Sequence, residues 1–548
     1  MLDTILTLAR VFRDAGYELY MVGGTVRDLL LRREHSPDID LTTNARPDDI
    51  KRLAALTHPL VIVVIGEQFG TVRLHYPRAD SAEDAGVSNT RQANASESPE
   101  PVVAVAGAAP DVDVVEITTF RSDRYNPESR KPEVIFGDAL EDDLLRRDFT
   151  INAIARDPLT GQITDPYGGR EDLERRLIRA VGDDPHRRFD EDPLRMLRAA
   201  RFASQLDFSI EPGTAQAMRE QADTLAKISR ERIRDEFTKL LVTANPALGI
   251  RLLVDLDLMP YVVPEALALR GISQQLTGRS KDVYEHVLRV VERTPARPAT
   301  RWAGLLHDIA KPRTRSVENG QVHFFGHEDV GAGMARDILR RLKFDRAFID
   351  HVARLVRLHM RANAYTSEWT DGAVRRLMLD AGPAMADLLD LSRADITSYR
   401  QDKLQRAAAR VNELETRVAW LRAEAERVPL KSPLDGNELM EMFGRGPGPW
   451  LRPVKDYLLG LVLDDQLLPD DKERAATLAR AFVAALDAGT EPAVNAGHVS
   501  SANEVTVEGS RAAARLTRRR QSHSALSGSQ SSSTSGDPNT RSHRHHEE

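Results

Sequence analysis

The hydrophobic rhythm of this chain changes once, near residue 190, and that change constrains the fold more than any other feature. Before it, short β-branched runs such as Val61–Ile65 (VIVVI) and residues 70–76 (GTVRLHY) alternate with helical stretches. After it, apolar residues recur at helical spacing up to about residue 489. The chain therefore reads as α+β: a small head of mixed β-sheet with helices, followed by a long all-α body. Within the head the pattern predicts a helix over 2–17 and a strand over 19–23 that runs into a glycine turn and a second helix. Further strands are predicted over 38–42, 61–65, 70–76 and 112–120. Residues 79–110 and 490–548 are dominated by small and polar residues and cannot bury enough apolar surface to offset their ordering entropy. The first segment reads as a disordered insertion in a hairpin loop, where length costs little. The second reads as a disordered tail.

Several classes of protein are excluded by composition. No apolar run approaches the roughly 20 residues of a membrane-spanning helix. The first 20 residues mix charges with apolar positions and carry no cleavage signature, so a secretory leader is not expected. There is no cysteine among the 548 residues, which removes disulfides, thiolate catalysis and Cys-ligated zinc and fits a cytoplasmic protein. The net charge of −7 argues against nucleic acid as a partner, but arginine is concentrated between Arg170 and Arg234.

The first chemistry lies in MVGGTVRDLLLRREHSPDIDLTT. Asp38 and Asp40 stand two apart on a predicted strand and so share a side, while Ile39 points towards a core. Paired carboxylates of this kind bind hard divalent cations, which can neutralise a triphosphate and activate a hydroxyl. Gly23–Gly24 at a strand-to-helix turn lets backbone N–H groups approach phosphate. Taken singly, the acidic pair could be a turn and the glycines a loop.

Together with the segments that follow, this stretch resembles the class II tRNA nucleotidyltransferase and bacterial poly(A) polymerase family. GG-x-VRD with a downstream D-I-D is joined by RRDFTINA (Arg146 to Ala153), DPYGG (Asp165 to Gly169) and EDPLR (Glu191 to Arg195), in the family's order. The resemblance covers roughly residues 15 to 270. It implies that Asp38 and Asp40 hold Mg²⁺ with a third carboxylate from a neighbouring strand. Glu116 is preferred for that role, because Asp113 has the opposite parity. It further implies that Gly23, Gly24 and Arg27 receive the triphosphate, and that Arg147, Asp148 and Asn152 position the nucleotide.

EDPLRMLRAARF admits two readings. In one, Asp192 caps a helix that has proline at its first position, and Arg195 is a surface residue. In the other, the i, i+3 spacing sets Asp192 beside Arg195. Arginine only donates and ionised aspartate only accepts. Adenine and cytosine both present a ring-nitrogen acceptor beside an amine donor, whereas guanine and uracil reverse that order. One such pair would select A and C without a nucleic-acid template. Arg198 and Arg201 continue the three-residue spacing, and Arg232 lies close in sequence. This stripe is expected to bind tRNA phosphates, against the alternative of a solvated face paired with Glu231, Asp235 and Glu236.

Downstream, His286, the adjacent His307–Asp308, His327, His359 and Asp395 follow the order H…HD…H…H…D, which resembles the HD phosphohydrolase superfamily. Imidazole and carboxylate ligands suit Mg, Mn, Ni or Co. The resulting division is a nucleotidyltransferase head over 1–180, a helical neck over 181–275, an HD domain over 276–430, a helical region over 431–489 and the tail. The expected function is addition of C, C and A from CTP and ATP to the 3′ end of tRNA, with an added phosphohydrolase activity. Rival readings are a poly(A) polymerase, an enzyme adding only C or only A, and an RNA-binding hydrolase with an inactive head. The oligomeric state is left open.

Overall fold

The computed structural model describes residues 2–33, 38–65, 70–77, 112–124, 133–137, 139–273, 282–396, 401–427, 431–464 and 466–488. The chain falls into two compact units, Met1–Pro429 and Leu430–Glu548.

In the first unit the head is a seven-stranded sheet. Its strands are β1 (Leu19–Val22), β2 (Asp38–Thr43), β3 (Val61–Ile65), β4 (Thr71–Pro77), β5 (Val112–Thr119), β6 (Ala155–Arg156) and β7 (Ile163–Thr164), in the spatial order β3-β4-β5-β2-β1-β6-β7. Only β2 and β5 pair in parallel; the other neighbours are antiparallel. The register sets Asp40 opposite Glu116, and Glu116 opposite Arg73. Along β5, Asp113, Val115, Ile117 and Thr119 are buried, so Glu116 faces the other way. Helix Leu2–Asp14 covers the sheet with Ile5, Leu8, Ala9 and Phe12. It stops short of the predicted residue 17 because Gly16 takes a left-handed φ of 81°.

The predicted hairpin around the insertion is present, since Pro77 pairs with Val112 across β4 and β5. The insertion itself, 78–111, lies outside the described residues, as does the tail over 489–548.

Helices occupy most of the chain from Pro185 to Asp487. Their buried faces continue the head's core without interruption, from Ile5 through Phe189, Phe237 and Trp302 to Leu421. The expectation of a purely helical body needs two corrections: Ser209–Ile210 pairs in parallel with Leu177–Ile178, and a hairpin stands further along. Ser316–Glu318 and Gln321–His323 form an antiparallel hairpin. Its two-residue turn is Asn319–Gly320, both at positive φ (50° and 73°). Asn-Gly is the standard signal for such a turn, and it stands plainly in the sequence. The short strands β6 and β7 were also missing from the sequence reading, because two residues are too few to show a period.

The second unit has its own small core, in which Leu439, Val454, Leu458, Ala475 and Val483 pack together. Its first helix, Gly436–Phe443, opens with a capping box in which Asp435 and Glu438 satisfy each other's backbone N–H groups.

Candidate functional site

The predicted nucleotide residues converge on a cleft of about 380 Å³ where the central strand β1 ends and β2 begins. Gly23, Gly24, Arg27 and Asp40 line it from the head, Arg147, Asp148 and Asn152 from the segment after helix Leu140–Leu145, and Asp192, Arg195 and Arg198 from the neck. Asp38 opens β2 opposite Val114; its side chain lies outside the described residues.

Local geometry explains why these residue types stand where they do. Gly23 holds φ 67°, ψ −137°, a conformation that essentially only glycine adopts. A Cβ there would come within 3.0 Å of Arg147 Nη1 and 3.3 Å of Asp40 Oδ2. Asp40 itself is fixed by its backbone N–H, which donates to Thr25 Oγ1 at 2.9 Å. Arg27 is buried and forked onto Asp28 (2.8 and 2.9 Å), with its third arm donating to Asn152 Oδ1 at 2.9 Å. Asn152 in turn donates to Asp148 Oδ1 at 3.0 Å, and Arg198 donates to Asp148 Oδ2 at 2.8 Å. Burial alone would raise the Asp148 carboxyl, but Arg198 and the Asn152 hydrogen bond outweigh it and hold the pKa at about 2.

Glu116 shares the sheet face of Asp40, and its carboxylate accepts from Arg73 Nε at 2.8 Å. Arg147 is steadied by Asp143 at 3.1 Å, and its Nε is buried with no hydrogen-bond partner among the described residues.

The structure revises the two readings of EDPLR. Asp192 Oδ1 does accept from Leu194 N, at 3.2 Å. Its Oδ2, however, pairs with Arg232 at 2.7 Å rather than with Arg195. Arg195 is not a surface residue: it is 7% exposed, and it donates to Glu191 at 2.8 Å and to the carbonyl of Arg146 at 2.8 Å. The expected surface stripe also does not form. Arg198 belongs to the cleft, and Arg201 is ion-paired with Glu236 and stacked over Phe202 at 4.1 Å. The reason is the buried carboxylates Asp148 and Glu236, which draw these guanidinium groups inward; three-residue spacing alone cannot show that. Of the three residues expected to contact RNA, only Arg232 is half exposed.

Sequence reasoning missed Phe202, Thr25 and Glu191. Phe202 lines the cleft four residues after Arg198, and Glu191 sits four before Arg195. Phe202 follows from helical spacing once Arg198 is known to face inward, whereas Glu191 ends the preceding helix, beyond an extended Asp192, and no such spacing announces it.

DPYGG serves as a buttress. Asp165 accepts the backbone N–H groups of Gly169 (2.7 Å) and Arg170 (2.9 Å). A Cβ on Gly169 would collide with the Thr150 carbonyl oxygen and lie 2.8 Å from Ile154 Cγ1. Helix Gly169–Glu174 can therefore press directly on the turn Thr150–Asn152 that carries Asn152.

The second cluster gathers all six residues of the H…HD…H…H…D order. His286, His307 and Asp395 form one group, and Asp308, His327 and His359 another; within each group the ligand atoms lie within 4.8 Å of one another. The groups interlock: His286 Nε2 is 3.0 Å from Asp395 Oδ1, 3.1 Å from His307 Nε2 and 3.3 Å from Asp308 Oδ2. Three Nδ1 atoms contact backbone carbonyls, those of Gly304 (His307, 2.8 Å), Phe324 (His327, 2.7 Å) and Val356 (His359, 2.6 Å). A carbonyl only accepts, so each Nδ1 carries the proton and each Nε2 is left as a ligand atom. Asp308 Oδ2 is buried and faces His286 Nε2 at 3.3 Å and Lys311 Nζ at 2.7 Å, and His327 Nε2 is buried 3.4 Å from Asp308 Oδ1. Burial and the charge of His307 lower His359 to about 4, keeping it in the neutral form that metals require. Lys311, 2.7 Å from Asp308, is a neighbour the sequence reading missed. His323 takes no part; it stacks on Phe325 at 4.9 Å.

Comparison with known proteins agrees with both clusters. Residues 19–103 and 85–179 match the model of a poly(A) polymerase head domain, and 207–269 match the "Probable RNA and SrmB- binding site of polymerase A". Residues 280–400 match the HD domain. The chain is 30% identical over 474 residues to the CCA-adding enzyme of Geobacillus sp. (strain WCH70), covering 86% of this chain and 94% of that one. It is 38% identical over 326 residues to the A-adding tRNA nucleotidyltransferase of Deinococcus radiodurans, covering 57% and 72%. A 41% identical stretch of 254 residues spans 53% of the Lactobacillus helveticus CCA-adding enzyme. Among solved structures, the Bacillus stearothermophilus CCA-adding enzyme in complex with CTP superposes with a TM-score of 0.59 at 26% identity, covering 89% of this chain and 98% of that one. No described helix is long and apolar enough to cross a membrane. The chain belongs to the family of CCA-adding enzymes, the class II tRNA nucleotidyltransferases.

Proposed function

We propose that this chain adds C, C and A from CTP and ATP to the 3′ end of tRNA, in the cytoplasm, without a nucleic-acid template. The observation that carries this is the cleft that joins Gly23 and Asp40 of the head to Asp192 and Arg195 of the neck. Phosphate chemistry and base selection thereby share one cavity. The donor set fits a hard cation: Asp40 and Glu116 stand opposite each other on adjacent strands, with Asp38 two positions before Asp40. These three carboxylates would hold Mg²⁺, which when bound neutralises the triphosphate and lowers the pKa of the attacking 3′-hydroxyl. The Gly23 turn admits the phosphates, and Arg147 lines the cleft beside it. Asn152, held between Arg27 and Asp148, orients the sugar. Arg195, locked by Glu191, presents donors to the ring nitrogen, and Asp192 accepts from the exocyclic amine. On this reading 1–180 is the catalytic head, 181–275 the base-reading neck, 276–430 the HD domain and 431–489 a helical extension.

Incubation with tRNA lacking CCA, with CTP and ATP supplied singly and together, tests the proposal. Complete CCA is expected only with both nucleotides. Addition of A alone to tRNA already ending in CC would favour the narrower activity printed for the Deinococcus relative.

The second cluster supports a second activity, hydrolysis of phosphate esters by the HD residues with Mg, Mn, Ni or Co. All six ligand positions carry ligating side chains, and within each group of three the ligand atoms lie within 4.8 Å of one another. Release of phosphate from p-nitrophenyl phosphate, assayed across the four metals, tests it.

A further inference from the structure

Beside the HD cluster lies a second cavity of about 210 Å³ that neither the nucleotide cleft nor the metal ligands account for. One wall belongs to the HD bundle and includes Asn363, Tyr365, Ser392 and Asp395. The other belongs to helix Gln401–Arg427, which lies beyond the matched HD region and contributes Arg410 and Val411. The wall is firmly built. Val411, Leu414, Val418 and Leu421 bury an apolar stripe against the bundle. Tyr365 donates to Glu413 at 3.1 Å, Arg417 pairs with Asp371 at 2.5 Å, and Arg375 pairs with Glu424 at 2.8 Å.

Two features point to a ligand. Ser392 is completely buried, and its Oγ has no hydrogen-bond partner among the described residues although it lines the cavity. A buried hydroxyl left unpaired is costly, so a ligand hydroxyl that meets it is favoured. The cavity also adjoins the metal cluster at Asp395, which lines it and whose Oδ2 accepts from Asn363 at 2.5 Å. The volume is below that of a usual drug-sized site, so it admits a sugar rather than a whole nucleoside triphosphate. Arg410 is exposed in the helix wall, where it can meet a second anionic group.

We propose that this cavity is the specificity subsite of the HD centre and takes a ribose flanked by two phosphates. The 3′-phosphate lies towards the HD ligands, the 5′-phosphate meets Arg410, and the 2′-hydroxyl, the only one left free on such a sugar, pairs with Ser392. The inference rests on reading the HD residues as a phosphate-ester hydrolase. A free nucleoside 3′,5′-bisphosphate and an RNA end bearing a 3′-phosphate share this chemistry.

The test is calorimetric binding to the full-length protein with CTP at saturation, so that the head cleft is filled. Adenosine 3′,5′-bisphosphate is expected to bind at least tenfold more tightly than adenosine 3′-monophosphate, and Arg410→Gln to abolish that difference. The 2′-deoxy bisphosphate should bind severalfold more weakly to the wild type, and Ser392→Ala should erase the preference for ribose. A short RNA ending in a 3′-phosphate, measured alongside, identifies which source binds better; tighter binding of either supports the subsite. Equal affinity for mono- and bisphosphate in the wild type, or affinities unmoved by both substitutions, would overturn it. If this binding pattern holds while p-nitrophenyl phosphate is not hydrolysed with any metal, the hydrolase reading fails and the subsite stands.

Discussion

Gly23 and Asp148 show how single residues govern this cleft. Gly23→Ala must leave a backbone conformation closed to side chains, and its methyl would press on Arg147 and Asp40. A loss of about 1–3 kcal/mol in stability is expected, with at least a tenfold fall in nucleotide incorporation; melts and radiolabel incorporation measure the two. Asp148 has a depressed pKa of about 2 against an ordinary value of 3.8. Its contribution is therefore fully present above the unfolded pKa and is lost as pH falls through the folded one. That amounts to roughly 2 kcal/mol lost between about pH 4 and pH 2. Urea midpoints followed over this range should fall less steeply in Asp148→Asn than in the wild type. For base choice, Asp192→Ala removes one polar contact worth about 1–3 kcal/mol, so discrimination against GTP and UTP should drop roughly 5- to 150-fold. Arg195→Ala should do the same and also lower stability, since it strips Glu191 of a buried partner. Competition assays with all four nucleotides, run beside melts, check both. A loss of stability with base preference intact would refute the selection role.

At the scale of elements, the motifs turn out to be packing devices as much as chemical ones. Helix Gly169–Glu174 lies so close to the turn Thr150–Asn152 that no side chain fits between them. Thr150 Oγ1 also donates to Asp172 at 2.5 Å across the same contact. Gly169→Ala is accordingly expected to cost about 3 kcal/mol or more and to displace Asn152, raising the KM for CTP and ATP together. Thermal melts and steady-state kinetics would reveal this, and a variant of unchanged stability would refute the close approach. From the sequence, DPYGG is recognisable only as a recurring motif. Its purpose becomes visible when Thr150, some 20 positions earlier, is found beneath it. The hairpin at 316–323 is the opposite case, since Asn319–Gly320 announces it locally.

Over the whole molecule, the second unit has a core separate from those of the first, which implies two separable stabilities. Calorimetry of the full chain should show two transitions. Removal of residues 430–548 should abolish one and leave CTP binding intact, because every lining residue of the cleft belongs to the first unit. A single cooperative transition would contradict this. Metal should act on the first unit alone: a cation that binds the folded HD cluster stabilises it by linkage. Mn²⁺ at a hundredfold excess over its dissociation constant for this cluster should thus add about 2.7 kcal/mol to wild-type stability, a gain that Asp308→Asn should lose.

By itself the sequence determined the α+β division and the parity that separates Glu116 from Asp113, which are carried by local period and need no partner to be read. Its resemblance to the HD superfamily singled out the six residues that the fold brings together. Tertiary structure decided which arginines face solvent. Arg195, Arg198 and Arg201 share one helical spacing, yet Glu191, Asp148 and Glu236 approach from other turns and helices and draw all three inward. It also decided that Asp192 meets Arg232 rather than Arg195. A charge is placed by the field of every carboxylate near it, and those neighbours become known only when the chain has folded.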